Sequence, residues 1–534
     1  MTYRAFVAFS GGGAKGIVHV GALKALEERA VQFEGLSGTS AGSIVAALVA
    51  AGFKADELID GSGATILNQL SRIDPDLRSS TDLFGKDGWK RVKIFRALLR
   101  MPFSFGTLLM AFWGLYSLLS AIIWFCFPRF GLPLSLLVSA GLGFSFWYAY
   151  RTVIGGLADL TRFRDALDRL LQEKIFPLEP QRVVTMADFG VAGRPSLKIV
   201  SANLTRRSLH LFSAGRTPKT PVADAVAASI CLPVIFMPWK IDGELHVDGG
   251  IVSNLPAWPF DEERELDPEA LTIAVEIEEP PSRQTPGRYG WLPAAVRTAL
   301  SGSGELNIRV SGPAEQLALP TRLDLLDFDV TAEMAAKEVR DVAAAAGLRL
   351  DKRLFRLPEI YRNACQVAQA LVLDGLGIAP GGRGSSPRVR VGVGRLERGY
   401  GRSLRLSHSV GFEEDADESM LVPLDGSVAG AAWTDKQSIL EVYPLDATRD
   451  LPGPANRLRR KSRLRDLAWV MCIPILDDET GEPRLLVQLD GNSKLSEDAK
   501  TLAALTSVEE AVKDFFGMVL HELKDLEDDH GLQK

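Results

Sequence analysis

Within its first fifty residues this chain twice runs from a short apolar strand through a turn of small residues into a helix. That repetition constrains the fold more than any other feature. Residues 4–9 (Arg-Ala-Phe-Val-Ala-Phe) read as a strand, followed by Ser10-Gly11-Gly12-Gly13-Ala14-Lys15-Gly16 and a helical pattern over 16–30. Residues 33–36 read as a second strand, followed by a turn and an alanine-rich helix over 41–51. Further strands are expected at 197–202, 209–212 and 271–277. Strands that alternate with helices indicate an α/β fold with a mostly parallel, helix-covered sheet. In such a sheet ligands sit at the carboxyl ends of the strands. The length, 534 residues, leaves room for two to four folding units at about 150 residues each. A Pro- and Gly-rich stretch over 280–293 reads as a surface loop, and Gly-Ile-Ala-Pro-Gly-Gly-Arg-Gly-Ser-Ser-Pro over 377–387 as a linker.

Two spans of about twenty residues interrupt this pattern. Between Met101 and Tyr150 the only charged residue is Arg129. Twenty-one helical residues reach about 31 Å, enough for a hydrocarbon core. The expectation is an inserted apolar hairpin over 103–150 that crosses a membrane, turning at Pro128-Arg129. Arg91, Lys93, Arg96, Arg100 and Arg151 flank it outside, which by the positive-inside rule places both ends, and the α/β domain that carries them, on the cytoplasmic side.

Three motifs carry chemistry. The first is the glycine turn at Ser10–Gly16, whose N–H groups at a helix start suit a developing anion. It lacks the Gly-Lys-Ser/Thr ending of a phosphate-binding loop, and its Gly-x-Gly-x-x-Gly spacing alone is a weak dinucleotide signal. The second is Gly38-Thr39-Ser40-Ala41-Gly42, which follows a strand and opens a helix, the context of a nucleophile elbow. The third is Asp248-Gly249-Gly250, which ends a strand over 243–247 and enters a loop. Ser40 needs a base. Among six histidines, His19 on the first helix reads as packing or surface; His246 shares a strand face with Asp248; neither stands in a motif. Lys15 is read as a positive charge for a head group or as a solvated helix-start lysine.

Taken in this order, the three motifs resemble the patatin-like phospholipase family. The resemblance includes Ala227-Ala-Ser-Ile-Cys-Leu-Pro-Val-Ile-Phe-Met-Pro238 and Asn254-Leu-Pro256. It implies a three-layer α/β/α hydrolase domain over 1–356 with the apolar hairpin as an insertion. It also implies a Ser–Asp dyad without histidine: Ser40 as nucleophile, Asp248 as base, and the N–H groups of Gly11, Gly12 and Gly13 as oxyanion hole. Gly16, Gly38, Gly42, Gly249 and Gly250 complete the motifs. The expected function is a membrane-associated serine acyl hydrolase that releases fatty acids from phospholipids. The alternatives are a neutral-lipid or general carboxylester hydrolase, or a ligand-sensing membrane protein with an inactive hydrolase fold. No cofactor and no metal are expected.

The order of elements after residue 357 resembles a GAF domain, expected to be α+β over 357–534. The matching pieces are Gly426-Ser-Val-Ala-Gly-Ala-Ala-Trp433, a strand over 467–476, and its hairpin partner over 483–490. Such a domain implies a small ligand or a homodimer as partner, beside membrane phospholipid and the bilayer. A basic run from Arg457 to Arg465 reads as a solvated loop. Composition excludes several classes. With 46% hydrophobic and 24% charged residues the chain is neither disordered nor fibrous. A net charge of −6 argues against a nucleic-acid partner. Four dispersed cysteines exclude a disulfide scaffold and a Cys-rich zinc site.

Overall fold

The computed structural model divides into two compact units, Met1–Arg349 and Leu350–Lys534, where the sequence placed the boundary at 356/357. It describes residues 3–59, 80–100, 105–126, 155–267, 270–278, 315–378, 388–396, 403–412, 421–442 and 467–527, single positions aside, with parts of 136–151. The two loop readings at 280–293 and 379–387 and the basic run at 457–465 lie outside the described residues.

The first unit is built on an eight-stranded sheet ordered β5-β6-β3-β2-β1-β7-β8, with β4 beside β3. Its strands are β1 Arg4–Phe9, β2 Gln32–Thr39, β3 Ser196–Asn203, β4 Ser208–Ser213, β5 Trp239–Ile241, β6 Glu244–Asp248, β7 Leu271–Ile277 and β8 Glu315–Leu319. The central pairs β1–β2, β1–β7, β2–β3 and β7–β8 are parallel. The mixed α/β architecture expected from the alternation is therefore present. Side chains alternate along each strand. Phe6 and Ala8 of β1 face one side, where Leu255, Ala257, Phe260 and Ala274 bury them. Phe9 faces the other side, edge-on to His19 of helix α1 (Val18–Glu28). Burial on both faces is what a parallel sheet requires, and it explains why β1 reads as a continuous apolar run.

One strand arrangement sets up the site. Lys198–Val200 of β3 pair with both β2 and β4, and Ser201–Asn203 pair with both β4 and β6. A strand has only two edges, so β2 and β6 share one edge of β3 in tandem. β2 runs parallel to β3 and β6 antiparallel, so their carboxyl ends meet head to head. Thr39 lies opposite Val200 and Asp248 opposite the next residue, Ser201.

The apolar insertion departs from expectation. Phe105–Cys126 is one helix without a charged residue. In the second half only positions 136–141, 143, 144, 147 and 151 are described as helical. Among the described residues no helix is long and apolar enough to cross a membrane. Pro133 and the glycines at 131, 141 and 143 disfavour an uninterrupted second helix. The transmembrane hairpin over 103–150 is thus not what the structure presents. Both roots of the insertion are nevertheless firm. Phe84 and Val92 before it, and Leu157, Ala158 and Leu160 after it, join Cys231, Leu232, Ile235 and Phe236 in one buried cluster.

The second unit is a six-stranded antiparallel sheet ordered β11-β10-β9-β14-β13-β12. The strands are β9 Val389–Leu396, β10 Ser403–Val410, β11 Leu421–Pro423, β12 Ile439–Val442, β13 Trp469–Leu476 and β14 Pro483–Gly491. Val391, Met471, Ile473 and Val487 project onto the helices Leu357–Gly375 and Ala499–Glu527, where Tyr361, Val372, Val512 and Phe516 complete the core. The opposite face carries Val470, Cys472 and Leu486 under the short helix Val428–Asp435. Arg390 and Asp490 are directly paired across β9 and β14. They form a buried two-pronged ion pair, Nε to Oδ1 at 2.7 Å and Nη2 to Oδ2 at 2.8 Å. Such geometry satisfies both groups where an unpaired charge would be costly.

Candidate active site

Ser40 stands between β2 and helix α2 (Ala41–Ala50), with φ 51° and ψ −128°. A residue with a Cβ enters this region only when its surroundings force it. Here the forcing is close packing of the helix start. A Cβ on Gly42 would lie 2.3 Å from the Phe9 carbonyl oxygen and 2.6 Å from that of Ser10. On Gly38 it would meet the Gly42 carbonyl at 2.4 Å, and on Gly16 the Cβ of Ala41 at 2.3 Å. The small residues of the two motifs let strand end, glycine turn and helix interlock with Ser40 at the apex.

The head-to-head meeting of β2 and β6 brings the second partner. Ser40 Oγ donates to Asp248 Oδ2 at 2.7 Å, across 208 residues of sequence. Asp248 Oδ1 accepts from the Gly250 N–H at 2.7 Å. The Asp248 N–H donates to the Cys231 carbonyl at 2.9 Å. Gly249 lies so close to β3 that a Cβ there would be 2.2 Å from the Val200 oxygen. Asp248 is almost completely enclosed, at 1% exposure, and burial raises its pKa to about 6 against the hydrogen bonds from Ser40 and Gly250. A carboxylate so raised is a better proton acceptor near neutral pH than an ordinary one.

The glycine turn lies against this pair, since a Cβ on Gly11 would be 3.2 Å from Ser40 Cβ and 2.5 Å from Asn254 Oδ1. One expectation needs correction. The Gly11 N–H already donates to the Asn254 carbonyl at 2.9 Å, so it is engaged in holding the turn. No described hydrogen bond engages the N–H of Gly12 or Gly13. Lys15, read from sequence as a head-group charge or a solvated residue, is buried at 7% exposure.

No described hydrogen bond joins a histidine to Ser40 or Asp248. His246 Nδ1 shares a hydrogen bond with Ser201 Oγ at 3.0 Å, and burial together with His210 lowers its pKa to about 4. His246→Ala should therefore keep ester hydrolysis within a few-fold of wild type while lowering the melting temperature, as it orphans a buried hydroxyl. Parallel rate and melting measurements check this, and a loss of rate beyond about 100-fold in a folded variant would assign His246 to the chemistry.

Two contributors carried no legible role in the sequence. Ser229 Oγ accepts from the Ser40 N–H at 2.9 Å and donates to the Val200 carbonyl at 2.6 Å, tying the elbow to β3. Asn254 supplies the carbonyl that holds Gly11. Ser229 is the lone polar side chain in the buried run Ala227-Ala-Ser, inside the stretch that carries the family resemblance but with no role read for it. Among the described residues no cluster of His, Cys, Asp and Glu is arranged to hold a metal ion.

Residues 7–261 match the family model of patatin-like phospholipases. A curated relative, the uncharacterized protein YqhO of Bacillus subtilis (strain 168), is 29% identical over 285 residues, covering 52% of this chain and 73% of its own. VipD from Legionella pneumophila matches as a solved structure at 17% identity and TM-score 0.31, over 71% of this chain and 76% of its own. The GAF domain of a two-component sensor histidine kinase from Bacillus halodurans matches at 17% identity and TM-score 0.21, over 29% of this chain and 94% of its own. The three motifs fall within the matched residues, and residues 7–261 form a patatin-like phospholipase domain, the domain of a lipid acyl hydrolase.

Proposed function

We propose that the protein releases fatty acids from membrane phospholipids through Ser40 and Asp248. The observation that carries this reading is the 2.7 Å hydrogen bond between the Ser40 hydroxyl and the buried Asp248 carboxylate; no described hydrogen bond joins either of them to a histidine. Ser40 Oγ attacks the ester carbonyl carbon as its proton passes to Asp248 Oδ2. The tetrahedral oxyanion is met by the N–H groups of Gly12 and Gly13. Its collapse breaks the ester bond, and Asp248 returns the proton to the departing alcohol of the lysophospholipid. Water, deprotonated by Asp248, then attacks the acyl-Ser40 ester, and as the fatty acid leaves Asp248 returns that proton to Ser40 Oγ. Fatty-acid release from labelled phosphatidylglycerol vesicles and from a labelled triacylglycerol emulsion tests the substrate class. Release from triacylglycerol alone would assign the enzyme to neutral lipids.

Membrane association is supported by the insertion's outward side. On the helix Phe105–Cys126, Trp113, Leu118, Trp124 and Phe125 are more than half exposed, Phe125 at 90%. An apolar surface of this kind fits the interfacial layer of a bilayer. Because both roots of the insertion lie in one cluster, a short linker can replace 103–150 without disturbing the sheet. The shortened protein should keep hydrolysis of a soluble short-chain ester and lose sedimentation with anionic vesicles. Unchanged sedimentation would remove the insertion from membrane binding. For the second unit we retain the reading of a GAF-like sensory or dimerising domain, supported by its antiparallel sheet with two long helices on one face.

A further inference from the structure

In the reading above the glycine turn offers two N–H groups to an oxyanion, and glycines are the residues least able to hold themselves in place. What fixes the turn is visible at its first peptide unit. The carbonyl of Ser10 and the N–H of Gly11 belong to the same plane, and both are engaged. The N–H donates to the Asn254 carbonyl at 2.9 Å. The carbonyl accepts from His19 Nε2 at 2.8 Å. His19 sits near the start of α1, wholly buried, its ring edge-on to Phe9 at 5.3 Å between centroids. The same Ser10 carbonyl oxygen lies against Gly42 of the elbow helix. Upstream, Ser10 is tied to β7 through its N–H to Val275 and its Oγ to the Ile277 N–H.

Because the peptide plane is rigid, fixing both its polar atoms sets the direction in which the chain leaves for Gly12 and Gly13. We infer that His19 is a positioning residue for the oxyanion hole: its Nε2–H anchors the Ser10 carbonyl and thereby aims the Gly12 and Gly13 N–H groups at the site of attack by Ser40. The inference rests on the hydrolase reading above. It requires the neutral tautomer with the proton on Nε2, which is the one that can donate to a carbonyl. Burial, only partly offset by the Ser10 bond, lowers the pKa of this ring to about 4 and keeps it neutral at working pH.

The test separates the bond from the bulk. The Nε2 amide of Gln follows the Cδ2–Nε2 edge of histidine, so His19→Gln keeps a donor where His19→Phe keeps only the ring. Removal of a whole oxyanion donor costs about 10²–10³ in rate, and loosening one should cost part of that. On a soluble short-chain ester, His19→Phe should lower kcat by roughly 10- to 100-fold with KM within about two-fold. His19→Gln should recover most of it. Equal kcat in wild type and His19→Phe, or an equal fall in both variants, would overturn the inference. A fall in melting temperature with kcat intact would likewise reduce His19 to packing. Hydrogen exchange of the peptide spanning 10–17 supplies a readout independent of turnover. Protection should drop in His19→Phe and persist in His19→Gln. Should wild type show no Ser40-dependent hydrolysis, the hydrolase reading fails, while the exchange result still decides whether His19 holds the turn.

Discussion

With alanine in place of Ser40, hydrolysis of phospholipid and of soluble esters is expected to fall by at least about 10⁴-fold, since loss of the nucleophile removes the covalent route and leaves only binding and the oxyanion donors. The fold should not change. Alanine keeps the Cβ, so it occupies the same left-handed position at φ 51° and meets the same neighbours. Its N–H still reaches Ser229. What is lost besides the nucleophile is the donor to Asp248 Oδ2, so the buried carboxylate becomes harder to ionise in the variant. Kinetics on vesicles and on a soluble ester, with circular dichroism for the fold, check the result. A folded Ser40→Ala protein with more than about 1% of wild-type turnover would require another nucleophile.

Much of this site was legible because it is built from local sequence. The strands β1 and β7 match their sequence limits, since unbroken apolar runs between turn residues leave little freedom of assignment. The elbow was legible because Gly38 and Gly42 have a local job, the close approach of a strand end to a helix start. In the second unit the β13–β14 hairpin also falls where the strand readings at 467–476 and 483–490 put it.

The remainder depended on contacts distant in sequence. Nothing in Glu244–Asp248 states that this strand shares an edge of β3 with β2, yet that sharing is what delivers Asp248 to Ser40. Only the motif's resemblance pointed there. The role of Gly11 was misread because its N–H finds a carbonyl 243 residues away, in a loop with no secondary structure to betray it. Strands β5, β8, β10, β11 and β12 went unread. β10, Ser-Leu-Arg-Leu-Ser-His-Ser-Val, alternates apolar and polar residues, but its register against β9 shifts between Leu406 and His408. The insertion was over-read for the converse reason. Hydropathy counts charges along the chain, whereas among the described residues no helix is long and apolar enough to cross a membrane.

Asparagine at Asp248 should abolish turnover and at the same time make the protein more stable. The amide can reproduce both hydrogen bonds of the carboxylate: its oxygen accepts from Gly250 N–H, and its NH₂ donates to Ser40 Oγ. It cannot take the Ser40 proton, so rate should fall by about 10³-fold or more. Stability follows from the pKa. The folded protein raises that of Asp248 from 3.8 to about 6, which corresponds to roughly 3 kcal/mol of destabilisation by the ionised form. The sign is fixed by linkage. The folded state binds the proton more tightly than the unfolded chain, so the stability it contributes is present below pH 3.8 and is lost as pH rises through 6. Asparagine does not titrate. At pH 8 the variant should melt several degrees above wild type, and the gap should close by about pH 4. The same ionisation governs catalysis in the opposite sense, because the base works only as carboxylate. Wild-type kcat/KM should therefore fall on the acid side with an apparent pKa of about 6, above that of a solvated aspartate. An acid limb near 4, or an Asp248→Asn protein no more stable than wild type at pH 8, would show that the carboxylate is not held in the buried state from which its basicity derives.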